Sequence, residues 1–310
     1  MAEIYYIQVI RKCNQSCRFC SNPSNDSIMP LEEAKRLLRK YAEAKAAGVI
    51  FTGGEPTMYP FLPQAIRYAA GLGLFPRITT NGQLFSDYDF ASMLVRSGLS
   101  HAHFSIYSHR KKTHEYLTRT PGSHAKLLKA IENAGKLGVR ADINTVINKY
   151  NSKELHLLAK FIIRKFPFVS HIVFNNMDPG MDRAVEDTST VPVLSAFEAS
   201  LAMAMRILDG TGRTFRVERV PLCFMSEFPQ YSTETRKIIK QEDRRTFFLD
   251  EKRMVRQTSW EHGYGKNCPK CGARPICAGL FEADRYYSSE ELCPVFYDID
   301  EVRKKVLAEQ

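Results

Sequence analysis

The chain has 310 residues, of which 44% are hydrophobic and 25% are charged, the composition of an ordinary globular protein. This length predicts one large domain, or one domain with a small appendage. The first residues lack the pattern of a signal peptide, and no apolar run approaches about 18 residues. These features argue against a membrane protein and predict a cytoplasmic protein with reduced cysteines.

The net charge is +10, which favours anionic partners. A phosphorylated substrate, an RNA or an acidic electron carrier would each fit such a charge, and a merely solvated basic surface is the alternative. The basic residues are spread along the chain and form no nucleic-acid-binding module.

Six short runs rich in β-branched and aromatic residues predict strands. They are IYYIQVI (4–10), VIFTGG (49–54), FPRITTN (75–81), HAHFSIY (101–107), VRADINTVI (139–147) and HIVFNNM (171–177). Helical patterns lie between them, as at 31–48 and 123–138. Such alternation predicts an α/β fold with a parallel sheet, either doubly wound or a partial βα barrel.

The pattern changes after residue 214. The run FRVERVPLCFM (215–225) predicts one more strand, ending near Cys223. The segments that follow are charged and rich in aromatic residues, and they hold the remaining cysteines. They predict a small, loop-rich unit held together by metal. We therefore predict two domains, 1–214 and 215–310.

Three of the eight cysteines follow the first predicted strand with the spacing CxxxCxxC: Cys13, Cys17 and Cys20. Clustered cysteines in a reducing compartment indicate metal ligands. Three buried apolar thiols are one alternative. Zinc is another, but it needs a fourth ligand, and the nearest histidines, His101 and His103, lie far along the chain. An iron–sulfur cluster with three thiolates would keep one iron open for a substrate or cofactor.

This motif resembles that of the radical S-adenosylmethionine (SAM) superfamily, CxxxCxΦC, in which Φ is aromatic and corresponds to Phe19. Further segments match the same family: GGEP (53–56) after the second strand, TTNG (79–82) after the third and HFSIYS (103–108) in the fourth. The resemblance covers roughly residues 4–180. It implies a partial (β/α)6 TIM-type barrel.

The resemblance also implies the cofactors. The three cysteines would hold a [4Fe–4S] cluster whose open iron is chelated by the amino and carboxylate groups of SAM. An electron from the cluster would cleave SAM to methionine and a 5′-deoxyadenosyl radical, which abstracts hydrogen from the substrate. The residues implied as SAM contacts are Phe19, Gly53, Gly54, Glu55, Thr80, Asn81, Ser105 and Asn144.

Several of these contacts have a specific expected role. The backbone of Gly53 and Gly54 would approach the ligand closely. The carboxylate of Glu55 would accept a hydrogen bond from the methionine ammonium. Phe19 would cover the adenine, and Ser105 would reach the ribose or the carboxylate. A simple turn at the two glycines, and satisfied strand ends at the polar residues, are the alternatives.

A second motif, CPKCGARPIC, places Cys268, Cys271 and Cys277 in the pattern CxxCxxxxxC. In isolation it would fit half of a zinc ribbon. Behind a radical SAM barrel it resembles the SPASM and twitch extensions, in which such a motif supplies three ligands of an auxiliary [4Fe–4S] cluster.

The fourth ligand of this cluster has two candidates. The full SPASM pattern has seven cysteines for two clusters, whereas this region has five, and Phe281 stands where a further ligand would follow. We therefore expect one auxiliary cluster. Cys223 is the favoured fourth ligand, because the end of a strand fixes a side chain well, and Cys293 is the alternative.

The resulting hypothesis is a radical SAM enzyme that acts on a peptide or a small anionic metabolite. It would complete an oxidation, a crosslink or a rearrangement with help from the auxiliary cluster, and would receive electrons from an acidic flavodoxin or ferredoxin. No catalytic residue is assigned. Four residues are candidates to face the substrate, although a structural role is the main interpretation: Tyr107, His114, Arg119 and Asp142.

One hypothesis of a different class remains. The positive charge and the CPKC motif also fit a basic, zinc-stapled nucleic-acid-binding protein without SAM chemistry. That hypothesis leaves CxxxCxxC and GGEP unexplained.

Overall fold

The computed structural model describes residues 4–22, 25–180 and 182–308. The outer limits of the two predicted domains, residues 1 and 310, lie outside these ranges. The predicted strands form, and their bounds are β1 Ile4–Ile10, β2 Gly48–Gly53, β3 Phe75–Thr80, β4 His101–Ser105, β5 Arg140–Ile147, β6 His171–Asn176 and β7 Thr214–Glu218.

Helices connect these strands. Their bounds are α1 Leu31–Glu43, α2 Leu62–Gly71, α3 Tyr88–Arg96, α4 Lys111–Thr118, α5 Ser123–Lys136, α6 Leu155–Lys165, α7 Arg183–Glu186 and α8 Leu194–Gly210. The first helix ends before the predicted residue 48, because the chain turns at Lys45 with a φ of 57°. Among the described helices, none has both the length and the apolar character needed to cross a bilayer.

The described strands form one sheet in the order β7-β6-β5-β4-β3-β2-β1-β8-β9, where β8 is Arg244–Phe247 and β9 is Met254–Gln257. Strands β1 to β7 pair in parallel with their neighbours, and β8 pairs in parallel with β1. The last pair, β8 and β9, is antiparallel. This arrangement confirms the predicted α/β fold.

The two faces of the sheet differ in polarity because successive side chains along a strand point to opposite faces. The face turned toward the helices is apolar, and it packs Ile7, Val9 and Phe104 into the core. Tyr5 on the same face meets Tyr41 of α1 edge to face, with ring centroids 4.6 Å apart. The opposite, concave face is half-buried and largely polar. We call the space on this side the lumen.

An ion pair bridges the open side of the barrel. Glu218 at the end of β7 accepts a hydrogen bond from the guanidinium of Arg244 on β8, although these strands lie on opposite sides of the opening. The same guanidinium lies 5.7 Å from the ring centroid of Tyr6 on β1. The charge of Arg244 lowers the pKa of Glu218 against the raising effect of burial. The ion pair therefore joins the C-terminal segment to the far edge of the sheet.

The C-terminal region is more ordered than its sequence predicts. It contains the hairpin β8–β9 and two helices, α9 Thr233–Lys240 and α10 Ile299–Ala308. The predicted boundary at residues 214 and 215 stays a prediction. Sheet pairing runs across it, since β7 adds to β6 and β8 adds to β1.

The prediction that Cys223 ends a strand is wrong. β7 stops at Glu218, and the chain then turns at Arg219, whose φ is 57°. Pro221 follows and has no N–H with which to continue the ladder. Cys223 lies beyond these breaks, in the short 3-10 turn Leu222–Phe224.

Candidate cofactor site

The first three cysteines lie on a loop that leaves the C-terminal end of β1, where the βα loops of such barrels carry their chemistry. Backbone hydrogen bonds fasten this loop to the end of α4. The N–H of Ser16 donates to the carbonyl of Thr118 at 3.3 Å, and the N–H of Arg18 donates to that of Leu117 at 2.9 Å. The cysteine positions are thus fixed by two elements that are about 100 residues apart in the chain.

Polar donors surround the sulfur atoms. The backbone N–H of Gln15 donates to Cys13 Sγ at 3.4 Å, and the side-chain amide of Asn81 lies 3.7 Å from the same sulfur. Cys17 is only 9% exposed. Burial raises the pKa of the Cys13 thiol to about 11 and raises that of Cys17 further. Metal binding at these cysteines would therefore release protons.

The spacing of the sulfurs distinguishes a cluster from a single zinc ion. Thiolates that share one tetrahedral zinc at about 2.3 Å lie about 3.8 Å apart. Within the described ranges, no three cysteine sulfurs lie within 4.8 Å of one another, at either end of the chain. A multi-iron cluster accommodates wider spacing, because each iron takes its own thiolate. The residues present therefore fit an iron–sulfur cluster better than a zinc ion.

Glu55 of the GGEP segment ties this segment to TTNG. Its Oε1 accepts hydrogen bonds from the N–H and hydroxyl of Thr57 and from the hydroxyl of Thr80 at 2.7 Å. Its Oε2 accepts from the N–H of Asn81 at 2.7 Å. The carboxylate is 1% exposed, and burial raises its pKa against these hydrogen bonds. The predicted contact of Glu55 with SAM stays a prediction, whereas its structural role is evident.

Close packing against the backbone explains why residues 53 and 54 are glycines, which the sequence alone did not indicate. Gly53 has a φ of 141°, and a Cβ on it would lie 2.0 Å from the carbonyl oxygen of Ile10. A Cβ on Gly54 would lie 2.2 Å from the carbonyl oxygen of Arg11 and 2.3 Å from that of Lys12. Both glycines thus let GGEP lie directly against the backbone that leads into the cysteine loop.

Replacing Gly54 with alanine is expected to lower the free energy of unfolding by about 1–3 kcal/mol, the range for overpacking in a close-packed site. The obstructing atoms are backbone, so the cysteine loop must move, and the iron bound after anaerobic reconstitution is expected to fall. Chemical denaturation and iron analysis measure the two effects.

Gly71 provides the matched control for this substitution. A Cβ on Gly71 at the end of α2 meets nothing within 4 Å, so Gly71→Ala is expected to keep both stability and iron content. Equal stability and equal iron in the Gly54 and Gly71 variants would contradict the close approach described here.

Phe19 lies in a small apolar cluster beside the cysteines. Its ring meets Tyr107 edge to face, with centroids 4.7 Å apart, and Leu117 and Met177 complete the surroundings. The hydroxyl of Tyr107 lies close to the side chain of Ser105. The predicted adenine contact of Phe19 stays a prediction, since Phe19 is 5% exposed in this packing.

Ser105 and Asn144 are paired across β4 and β5 at the lumen face. The side chain of Asn144 accepts a hydrogen bond from the amide of Asn175 on β6. The Oδ1 of Asn175 is buried without a hydrogen-bond partner in the described structure. The strand ends therefore bring together three polar side chains that can bind a polar ligand.

Arg183 was missed by the sequence analysis. Its side chain lies close to Cys20 and Cys17, although α7 is far from the cysteine loop in the chain. A cation beside thiolates stabilises their charged form and would tune a bound cluster. No motif accompanies this arginine, so only the three-dimensional structure could identify it.

The four candidate substrate-facing residues have structural partners. His114 is buried, and its Nδ1 accepts from the N–H of Tyr107 at 3.3 Å. Arg119 caps α4 with a φ of 50°, and its guanidinium lies 3.9 Å from Asp187. Asp142 lies at the other end of β5, close to His101. The contacts of His114 and Arg119 support the structural interpretation.

The five later cysteines gather in one region of the C-terminal segment. Cys293 and Cys277 both lie close to the sulfur of Cys223. Cys268 and Cys271 lie near Cys277 in turn. We call these five residues the C-terminal cysteine group. Four of its members are half-buried, whereas Cys293 is exposed.

Backbone N–H groups point at these sulfurs as they do in the first site. The N–H of Val295 donates to Cys271 Sγ and the N–H of Gly279 to Cys277 Sγ, both at 3.4 Å. Burial raises the pKa of Cys223 to about 12 and also raises the pKa of Cys277. The group thus has the thiols and the donors that an auxiliary cluster requires.

The family model of the Radical SAM superfamily matches residues 7–162, about half of the chain. The chain belongs to this superfamily. Over 148 residues it is 32% identical to the AdoMet-dependent heme synthase of Oleidesulfovibrio alaskensis. The matched segment makes up 46% of this chain and 38% of that protein. The chain thus spans less than half the length of this curated relative.

Solved structures extend the likeness to the C-terminal region. The structure of Streptococcus suis SuiB bound to S-adenosylmethionine matches 95% of this chain and 78% of its own, with a TM-score of 0.68 and 17% identity. The structure of anSMEcpe with bound AdoMet and the Kp18Cys peptide matches 99% of this chain and 96% of its own, with a TM-score of 0.67 and 16% identity. At these identities the likeness shows the fold, which extends beyond residue 214.

Proposed function

We propose that this protein cleaves SAM reductively and uses the resulting 5′-deoxyadenosyl radical to abstract hydrogen from a peptide or a small anionic metabolite. The observation that carries the proposal is the meeting of three motifs at one end of the barrel. The CxxxCxxC loop, GGEP and TTNG are joined through Glu55, Asn81 and the close approach at Gly54.

In this proposal the chain holds the cofactors at named residues. Cys13, Cys17 and Cys20 hold a [4Fe–4S] cluster and leave one iron for SAM. The residues that border the SAM site are Phe19, Gly53, Gly54, Glu55, Thr80, Asn81, Ser105 and Asn144. Asn81 and the N–H of Gln15 orient Cys13 and donate toward its sulfur.

The C-terminal cysteine group is proposed to hold one auxiliary [4Fe–4S] cluster. Cys268, Cys271 and Cys277 supply three ligands, and Cys223 is the fourth. Four protein ligands leave no open iron, so such a cluster would accept or pass on an electron rather than bind substrate. The fifth thiol, Cys293, is exposed and needs no metal to satisfy it.

A peptide is the substrate class that the solved relatives favour. SuiB is described bound to the precursor peptide SuiA, and anSMEcpe is described with the Kp18Cys peptide. The curated relatives also include a PqqA peptide cyclase from Rhodopseudomonas palustris and the heme synthase named above, which is not a peptide enzyme by name. The polar lumen accommodates the polar backbone of a peptide or an anionic metabolite.

The decisive experiment is anaerobic incubation of the reconstituted protein with SAM and dithionite. Formation of methionine and 5′-deoxyadenosine is expected, and deuterium from a labelled substrate is expected to appear in the 5′-deoxyadenosine. Candidate substrates are labelled peptides and metabolites of a cell extract. A colourless protein that binds zinc and produces no 5′-deoxyadenosine would instead support the nucleic-acid-binding hypothesis.

The electron donor is proposed to be an acidic flavodoxin or ferredoxin. The net charge of +10 favours docking of such a partner. Rising salt is expected to lower kcat/KM for the donor more than kcat, because screening slows association. Equal values of kcat/KM at low and high salt would argue against electrostatic docking.

A further inference from the structure

We propose that the lumen holds a second kind of metal site, in which His101, His103 and Asp142 bind one first-row transition metal ion such as Zn²⁺ or Fe²⁺. The inference is independent of the proposed SAM chemistry and concerns the opposite end of the strands. It rests on ligand geometry, burial and the chemistry of the donors.

The strand geometry brings the three residues together. His101 and His103 are two residues apart on β4, so their side chains point to the same face of the sheet. Asp142 on β5 is the direct cross-strand partner of His103. The two imidazole rings stack, with centroids 4.3 Å apart and planes inclined by 27°. This register directs three donor groups to one point.

The donor atoms have the separations that a shared metal ion requires. Asp142 Oδ2 lies 2.8 Å from His101 Nε2 and 3.9 Å from His103 Nδ1. Ligands at about 2.0–2.1 Å from one metal ion lie about 2.9–3.4 Å apart. Small side-chain rotations therefore suffice to place one ion between the three atoms. Within the described ranges, these residues are the one set of three such donors within 4.8 Å of one another.

A hydrogen-bond network does not account for these contacts. Although His101 Nε2 lies 2.8 Å from Asp142 Oδ2, it has no hydrogen-bond partner of acceptable geometry in the described structure. A buried imidazole nitrogen without a partner is costly. A metal ion between the ring nitrogen and the carboxylate would satisfy the nitrogen that a hydrogen bond does not.

Burial and charge prepare the group for metal binding. His101 is 4% exposed and Asp142 2%. Both side chains are therefore enclosed by protein, and a bound ion would be shielded from bulk water. The carboxylate is further oriented by Arg140, whose Nε lies 3.4 Å from Oδ1.

The donor set selects the metal. Two neutral imidazoles and one carboxylate suit zinc, iron or another first-row transition metal, whereas magnesium and calcium prefer sites made of oxygen. Three protein ligands leave a position open for a water or a substrate atom.

The site lies below the predicted SAM contacts within the same lumen. Ser105 and Asn144 follow His103 and Asp142 by two residues each, or about 7 Å along the strands. An ion bound by His101, His103 and Asp142 would thus face the lumen.

The test uses the full chain with its iron–sulfur clusters reconstituted, so that the cysteines are already occupied. The protein is dialysed anaerobically against limited Zn²⁺, freed of loose metal and analysed for zinc. The wild type is expected to retain about one zinc per chain. His103→Gln and Asp142→Asn are expected to lose most of it. His156→Gln, on α6, is the matched control and is expected to retain it.

X-ray absorption at the zinc edge identifies the ligands. Nitrogen and oxygen at about 2.0–2.1 Å are expected, without sulfur at about 2.3 Å. Equal zinc in the wild type and both triad variants, or sulfur ligation, would overturn the proposal. Thermal unfolding and iron content establish that each variant is folded, and substituting two different ligands keeps the test valid if one of the variants fails to fold.

Discussion

Protein in which Cys17 is replaced by alanine is expected to lose about four irons per chain and all reductive cleavage of SAM. Cys17 is the most buried of the three cysteines of the first motif, and its surroundings of Phe19, Tyr107 and Leu117 offer no substitute ligand. With two thiolates remaining, a second iron of the [4Fe–4S] cluster would lack a protein ligand. Iron analysis, EPR of the reduced protein and chromatography of 5′-deoxyadenosine measure the effect.

Ser16→Ala provides the control for this substitution. Ser16 lies next to Cys17 and is exposed, and its contact with α4 is made by its backbone. This variant is expected to keep both its iron and its cleavage activity. Retention of the full iron content and of 5′-deoxyadenosine formation by the Cys17 variant would refute the cluster assignment.

The second large effect is expected at the C-terminal cysteine group. Cys223→Ala is expected to lose about four irons, whereas Cys293→Ala is expected to keep its full content. Cys223 is half-buried and lies beside Cys277. Cys293 is exposed, and its thiol donates to the carbonyl of Glu291 at 3.6 Å.

The two variants are controls for each other, because each removes one thiol from the same region. Iron loss in the Cys293 variant alone would move the fourth ligand to that residue. Unchanged iron in both variants would exclude both assignments. The EPR signal of the first cluster is expected to persist in either variant, which separates this result from general unfolding.

The sequence predicted the barrel because its two signals agree. Apolar and β-branched runs recur between helical stripes, and the cysteine, GGEP and TTNG motifs each follow a strand. The structure forms β1 to β6 within one or two residues of these runs. Local periodicity suffices here because each strand packs its apolar face against helices that are close to it in the chain.

The C-terminal region was less predictable because its order depends on distant contacts. The hairpin β8–β9 has only four residues in each strand and forms against β1, more than 230 residues earlier in the chain. The strand predicted through Cys223 stops early at Arg219 and Pro221. Short elements of this kind carry too few residues for periodicity to distinguish strand from turn.

In the cofactor site too, residues within a local motif could be predicted, whereas contacts between distant segments could not. The motif residues were identifiable because their types and spacing are specific. The carboxylate of Glu55 instead joins two segments, and Arg183 reaches Cys20 from a helix that carries no motif. Such contacts depend on how the loops fold over one another, which no spacing in the chain encodes.

The pairing of Glu218 with Arg244 bears on how the barrel would confine a radical intermediate. A carbon-centred radical reacts with the first hydrogen donor it meets, so a reaction chamber must be walled on every side. Strands β1 to β7 leave one side of the barrel open. Strand β8, which carries Arg244, lies at this open side and is joined to β7 by the ion pair. The C-terminal segment thereby does more than carry cysteines. In the proposed reaction, a substitution that weakens this ion pair is expected to let SAM be consumed without product, measured as 5′-deoxyadenosine formed in excess of turnover.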